Sequence, residues 1–361
     1  MTGRCSTASR RSRRRPMQRA IGTCSSSTTT GTIATMKIGI TDRLLEVGAF
    51  ESELERLGAR FVFLNSLDER DFRDSDLADL DALLVWHAQV TGFTARRLKK
   101  CRIVVRYGIG YDQVDVEALK RAGIRFANNP SYCTEEVADT ACAMILDGVR
   151  GITRHDRLAR AYGDAWQEHN LPTWRSRTRR VGLVGLGKIG IATALRLKAF
   201  GFDIAAFDPH VEQGLWKSLG LHRAATLDEL LHTSDVVSLH CPLTAETAGM
   251  IDAGFLQRMK PDAVLVNTGR GGLMRSLDTL ETHLRANAGF RVFLDVLPVE
   301  PPGDDRLVRA WRDDAAWLSG RLVINPHNAY FSDASHVEQR QDATETVRLA
   351  LYDGVFRNTI D

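Results

Sequence analysis

Six cysteines (Cys5, Cys24, Cys101, Cys133, Cys142 and Cys241) are spread over 361 residues without a C-x-x-C pair and without a histidine at metal-site spacing. A disulfide framework and a zinc module are therefore excluded as organising principles; a reduced, cytoplasmic protein that holds no metal is expected. No apolar run reaches the ~18 residues that a membrane-spanning helix requires, and no self-similarity at a solenoid period is present. Acidic residues are missing altogether from residues 1–35, which hold seven arginines. Without those arginines the formal +3 becomes 41 basic against 45 acidic side chains, about −4, so the body of the chain is not expected to be a nucleic-acid surface.

What is present is an ordinary globular composition, 43% hydrophobic and 26% charged, at a length that suits two domains. The Arg-, Ser- and Thr-rich residues 1–35 lack periodic apolar positions and are expected to be disordered or a mis-annotated extension, with a transit-like peptide and a basic arm as the alternatives. From Met36 short apolar runs alternate with longer amphipathic ones, the signature of βαβ units. Strands are predicted at residues 37–41, 60–64, 82–86, 103–106 and 124–127, forming a first small α/β unit. A second series follows the turn Asn128-Asn129-Pro130: a helix near 134–148, then strands at 181–184, 203–207, 236–239, 263–267, 292–295 and 322–325. Six strands separated mostly by helices are the content of a doubly wound nucleotide-binding domain. A last helix, 334–352, is placed to return to the first unit.

Gly185-Leu186-Gly187-Lys188-Ile189-Gly190 puts G-x-G-x-x-G between an apolar strand and an Ala- and Leu-rich helix. Three glycines alone would read as a plain turn, but in this context Gly185 permits a tight turn, Gly187 lets backbone approach a pyrophosphate and Gly190 lets helix and strand pack closely. Eighteen residues beyond Gly190, Asp208 ends the next strand. A carboxylate there accepts hydrogen bonds from ribose hydroxyls and repels a 2'-phosphate, so NAD is the expected cofactor.

Ligands of open α/β sheets lie beyond the carboxyl ends of the strands. Arg270 follows the strand 263–267, Asp295 ends the next with Glu300 five residues on, and His327 follows 322–325. Singly they read as a helix-start surface charge, a loop acid and a capped loop histidine. Together behind a dinucleotide fingerprint they supply what reduction of a 2-oxo acid needs: Arg270 grips the carboxylate and the polarising carbonyl, His327 exchanges a proton with that oxygen, and Glu300 fixes the imidazole tautomer and favours its charged form. Trp86-His87 is expected to be a structural pair, Cys133 and Cys241 packing residues, and the remaining histidines solvated.

The motifs Gly185–Gly190, His240-Cys-Pro-Leu-Thr244, Asn267-Thr-Gly-Arg-Gly271, Asp295-Val-Leu-Pro-Val-Glu-Pro301 and Asn325-Pro-His-Asn-Ala329 resemble the D-isomer-specific 2-hydroxyacid dehydrogenase family over almost everything after Met36. Arg102–Asp112, Glu135–Asp139 and His327–Ser332 look most like its C-terminal-binding-protein branch, whose eukaryotic members are NAD(H)-responsive corepressors. The resemblance implies Arg270, Glu300 and His327 as catalytic residues. It implies a flavodoxin-like substrate domain from residues 36–132 plus 327–361 around an inserted Rossmann NAD domain, 133–326, and a homodimer through the latter. It further implies substrate contacts from Arg106, Gly108, Ile109, Gly110 and Tyr330, the last standing where the branch has tryptophan. Cofactor contacts are implied for Ile109, Val137, His240, Cys241, Pro242, Thr244, Thr268, Gly269 and Asp295. An NAD(H)-sensing, peptide-binding scaffold is the alternative function. Gly269, Arg275 and Arg291 depart from the family's usual residues, and Pro302–Ser319, with Trp311 and Trp317, is longer than the usual connection.

Overall fold

The computed structural model describes residues 35–160, 166 and 171–360; the expectations for the N-terminal extension and for Cys5 and Cys24 lie outside them. Strands β1 (Lys37–Ile40), β2 (Arg60–Phe63), β3 (Ala82–Val85), β4 (Ile103–Arg106) and β5 (Arg125–Ala127) form one parallel sheet in the order β2-β1-β3-β4-β5. That is the flavodoxin-like order. Strands β6 (Arg180–Val184), β7 (Asp203–Phe207), β8 (His222–Arg223), β9 (Val236–Leu239), β10 (Val264–Asn267), β11 (Arg291–Leu294) and β12 (Leu322–Ile324) form a second parallel sheet, β12-β11-β10-β9-β6-β7-β8. Its order reverses between β6 and β9, leaving a crevice beyond their carboxyl ends.

Central strands carry helices on both faces, so they read as mostly apolar runs, broken in the strands named next only by Ser238 and Asn267. Every residue of β3, β9 and β10 is buried, and each buried Val or Leu contributes about 1.5–3 kcal/mol. The helix Thr134–Arg150 buries Val137, Ala138, Ala141, Cys142, Met144, Ile145, Gly148 and Val149. Its lower half packs on the second sheet, where a Cβ on Gly148 would lie 2.6 Å from Val264 Cγ1. It ends at Gly151 in the left-handed region, φ 65°. The helix Asp333–Arg348 begins at Ser332, which caps it reciprocally with Ser335. Ala343 and Val347 of this helix, with Ala350 and Leu351 just beyond it, pack among Ile38, Ile40, Leu84 and Val105, so the chain end returns to the first sheet. Ile360 N–H then donates to Phe126 O at 3.0 Å.

Three features differ from the expectations. Strand β8 has no counterpart in the predicted set: it is two exposed residues at a sheet edge, too short and too polar to leave an apolar signal. The last helix gives way after Arg348 to a wider turn, Leu349–Asp353. Two histidines expected to be solvated are packed, His283 edge-on to Phe290 with ring centroids 4.5 Å apart and His336 between Trp86 and Phe331; burial lowers both pKa values.

Arg291 is buried at the start of β11. Its Nη1 donates to Gly148 O at 2.7 Å, its Nη2 to Asp262 O at 2.9 Å, and its guanidinium lies 4.0 Å from the Trp174 ring centroid. Within Pro302–Ser319 the helix Arg306–Arg312, capped by Asp305, seats Leu307 and Val308 in the core beside Leu318. Among the described residues no helix is long and apolar enough to cross a membrane.

Candidate active site

The turn after β10 is built by its last residue. The Asn267 side chain accepts from Gly269 N–H at 3.0 Å and donates to Arg270 O at 3.0 Å, which orients the Arg270 side chain. A Cβ on Gly271 would lie 1.8 Å from Leu297 O, so the absence of a side chain there brings this turn against the loop that follows β11. Glu300 closes that loop by accepting from Leu297 N–H at 2.6 Å. His327, just past β12, has φ 52°, a left-handed conformation that is costly for a non-glycine residue. Asp295 stabilises it: its carbonyl accepts from His327 N–H at 2.8 Å and its carboxylate from Asn328 and Ala329 N–H at 3.1 Å. Burial nevertheless raises the Asp295 pKa above the usual carboxylate value.

In this arrangement His327 Nδ1 lies 2.5 Å from Glu300 Oε2. Burial pushes the Glu300 carboxyl up, but the hydrogen bonds from His327 and Leu297 N–H and the positive charges of His327 and Arg270 outweigh it and hold the group below the usual range. With Nδ1 engaged, Nε2 is the nitrogen left for chemistry. The two side chains are partly exposed, so the pair sits at an open cleft.

The first sheet supplies the facing wall. After β4 the segment Gly108-Ile109-Gly110 is pinned by Asn128 Nδ2, which donates to Ile109 O at 2.7 Å, and by Asn129 N–H, which donates to Gly108 O at 3.3 Å. Arg270 reaches across to it, its Nε–H donating to Asp112 Oδ2 at 2.9 Å and its Nη1 to Gly269 O at 2.7 Å. Arg106 lies beside the same segment, and burial lowers its pKa to about 10. Tyr132, Cys133, Val137 and Ala329 form a buried apolar cluster with Ile109, Ile189 and Tyr330 packed on it, which joins residues of both sheets at the cleft. Tyr330 stands edge-on to His327, centroids 6.4 Å apart.

The glycine motif has the expected steric form. Gly185, at φ 94°, lies where a Cβ would be 2.6 Å from Cys241 N; at Gly190 a Cβ would be 2.4 Å from Gly185 O; at Gly187 nothing lies within 4 Å. The helix Lys188–Ala199 starts there with no side-chain cap, leaving its first N–H groups open to an anion. Asp208 accepts from Leu186 N–H at 2.8 Å and His210 N–H at 2.9 Å, so one carboxylate fixes both the glycine turn and the end of β7.

Two buried polar atoms in this crevice have no partner, Thr268 Oγ1 and His240 Nδ1, and a dinucleotide's ribose and amide groups are the chemistry that would satisfy them. Burial lowers the His240 pKa to about 4, so the ring, held by Ser238 Oγ at 3.0 Å, is neutral at physiological pH.

The Leu186 side chain is in the core, which leaves only its backbone for a cofactor. The Lys188 ammonium donates to Pro130 O at 3.2 Å. Pro242 and Thr244 lie on the exposed turn after β9, with Thr247 Oγ1 accepting from Thr244 N–H at 2.8 Å. Burial raises the thiol of Cys133 to about 12 and that of Cys241 to about 11, which keeps both protonated. Trp86 stacks on Tyr107 at 4.2 Å, and His87 Nδ1 lies 2.8 Å from Asp42 Oδ2. Asp112, Asn267 and Gly271 shape the site, although in the sequence they stand out only as members of family-like motifs and carry no expected role of their own. An Asn at a strand end three residues before the Arg was a usable local signal, but the other two act through contacts between distant segments.

The sequence pattern of the D-isomer specific 2-hydroxyacid dehydrogenase, NAD binding domain, matches residues 142–329. D-3-phosphoglycerate dehydrogenase of Mycobacterium leprae (strain TN) is 34% identical over 278 residues, 76% of this chain and 49% of the relative; the chain spans about half the length of the curated relatives it matches. The structure of D-lactate dehydrogenase from Aquifex aeolicus with NAD and lactic acid superposes with TM-score 0.76 at 25% identity, covering 90% of this chain and 100% of that one. The NADPH-dependent glyoxylate/hydroxypyruvate reductase of Sinorhizobium meliloti, solved with NADP and malonate, gives 0.76 at 26% identity, with 91% and 97% covered.

Proposed function

Because the chain belongs to the D-isomer-specific 2-hydroxyacid dehydrogenase family, we propose that it interconverts a 2-oxo acid and a D-2-hydroxy acid with NAD(H), using Arg270, Glu300 and His327. The observation that carries this reading is the His327 Nδ1 to Glu300 Oε2 contact of 2.5 Å, formed on the same rim as the Arg270 guanidinium. The cofactor, when bound, supplies or accepts the hydride. The apolar cluster around Val137, Ile109 and Tyr330 excludes water from the reacting carbon.

In reduction the charged His327 donates its Nε2 proton to the carbonyl oxygen, and Arg270 stabilises the negative charge gathering there. In oxidation the neutral ring takes the hydroxyl proton back at Nε2. Glu300 accepts from Nδ1 in both states and so keeps Nε2 facing the substrate. Gly108, Ile109 and Gly110 offer backbone N–H groups to the substrate carboxylate, with Arg106 beside them.

For the cofactor, Asp208 at the end of β7 favours NAD over a 2'-phosphorylated dinucleotide. Residues 36–132 plus 327–361 serve as substrate domain and 133–326 as NAD domain, and the enzyme acts as a cytoplasmic homodimer through the NAD domain. A peptide-binding scaffold of the C-terminal-binding-protein kind would use the same fold but would have no need of a formed His327–Glu300 pair, which favours the enzyme.

The test is a screen of glyoxylate, pyruvate, hydroxypyruvate, phenylpyruvate and branched 2-oxo acids, followed by NADH absorbance, on the wild type and the His327→Ala and Arg270→Ala variants. Turnover by the wild type and its loss in both variants is expected. Wild type and variants all equally inert would refute the enzymatic reading.

A further inference from the structure

Two guanidinium groups lie over the two glycines of one short segment. A Cβ on Gly110 would lie 1.3 Å from Arg270 Nη2, and one on Gly108 would lie 3.1 Å from Arg106 Cζ. Their charges oppose each other: beyond the effect of burial, Arg270 is a further cause of the lowered Arg106 pKa. Only Arg270 has a carboxylate. Asp112, two residues past Gly110, takes its Nε–H at 2.9 Å. Arg106 makes a single long bond to Val85 O, 3.4 Å, and its buried Nε has no partner. Asp42, whose charge also acts on Arg106, is engaged by Thr41, His87 and Ala88. Glu300 also feels the charge of Arg270 but is bonded to His327, so at the Gly108–Gly110 segment itself two cations face one anion and one positive charge is left uncompensated. A substrate with one carboxylate neutralises it. A substrate with a second carboxylate or a phosphate brings an excess negative charge into the neighbourhood of Asp112.

We propose that Asp112 is a positioning and specificity-determining residue, which holds Arg270 by Nε so that Nη2 remains for the substrate, and whose charge selects monoanionic over dianionic 2-oxo acids. This rests on the substrate reading given above for the same cleft. Asp112 reaches Arg270 from the opposite sheet, so the bond also fixes the distance between the two walls of the cleft.

The probes are oxamate and oxalate, similar in size and differing by one charge, titrated into the NADH complex of the full chain and read by NADH fluorescence. Asp112→Asn keeps an acceptor for Nε and removes the charge; Asp112→Ala removes both. The ratio of oxalate to oxamate affinity is expected to rise about tenfold in both variants, the effect of deleting one partly screened charge a few ångströms away. With pyruvate and NADH, kcat is expected to fall further in Asp112→Ala than in Asp112→Asn, since only the former frees the guanidinium. An affinity ratio unchanged in both variants, or failure of the monoanion oxamate to bind the wild-type NADH complex, overturns the selection. Equal kcat losses in the two variants overturn the positioning. If the affinity ratio shifts while the wild type reduces no 2-oxo acid, the selection stands and the catalytic reading fails.

Discussion

Gly110→Ala isolates the placement of Arg270 from the stability of the fold. The new methyl group would occupy the space of the guanidinium, 1.3 Å from Nη2, 2.3 Å from Cζ and 2.7 Å from Nε. Ordinary contact requires about 3.4–4 Å, so the head of Arg270 must move by roughly 2 Å. It is the far end of a flexible side chain, and Gly110 is not among the glycines with positive φ, so alanine fits the backbone and the arginine is the part that yields. A misplacement of about 1 Å can cost on the order of 100-fold, and loss of one donor to a developing oxyanion about 10²- to 10³-fold, or ~2.7–4 kcal/mol. The expected result is kcat reduced at least ~100-fold with the best 2-oxo acid, a melting temperature within about 2 °C of wild type, and unchanged NADH affinity by fluorescence titration. Gly108→Ala, whose methyl group meets Arg106 at 3.1 Å, should be milder. A folded Gly110→Ala protein with wild-type kcat would refute the claim that Arg270 acts from this position.

Three further predictions follow from the same geometry. Asp208→Ala should relax discrimination between NADH and NADPH in steady-state kinetics, because the carboxylate that opposes a 2'-phosphate is gone; unchanged discrimination would remove Asp208 from cofactor selection. Glu300 is held below the usual carboxylate range, so it stays charged throughout the neutral pH range and stabilises the imidazolium needed for reduction. Glu300→Gln should therefore move the loss of reductase activity to lower pH, and an unmoved profile would contradict the pairing. Arg291→Ala deletes two hydrogen bonds to backbone carbonyls and a contact with Trp174 far from the cleft. It should lower stability by about 3 kcal/mol in denaturant titrations while leaving the kcat/KM of the folded protein near wild type.

Much of the architecture is legible in the chain because parallel strands buried on both faces are mostly apolar along their length. Residues 82–85, 236–239 and 264–267 carry that mark, Ser238 and Asn267 apart, and are buried throughout. The glycine motif is legible for a similar reason: each glycine answers a local steric demand, φ 94° at Gly185 and the approach of Gly185 O at Gly190. Arg270, Glu300 and His327, each ordinary by itself, stand out together because all three follow strands of the sheet that carries the glycine motif, beyond whose carboxyl ends ligands lie.

What escaped sequence reading works over long separations. Asp112 meets Arg270 across 158 residues. Gly271 meets Leu297 across a strand and a helix. Neither leaves a local pattern. Arg291 reads as an odd replacement for a small residue until Gly148 O, Asp262 O and Trp174 are seen to surround it. The stretch Pro302–Ser319 reads as an unusually long connection until Leu307, Val308 and Leu318 are found in the core.

The proposed chemistry requires a guanidinium and a carboxylate-bound imidazole from the second sheet to converge on one substrate against the glycine segment of the first. A crystal structure of the NADH and oxamate complex tests this directly. The oxamate carbonyl oxygen should lie within hydrogen-bonding distance, about 2.6–3.2 Å, of both His327 Nε2 and the Arg270 guanidinium, with the carboxylate against the Gly108–Gly110 N–H groups. Oxamate bound elsewhere, or a residue 327 ring whose Nε2 faces away from it, would contradict the account.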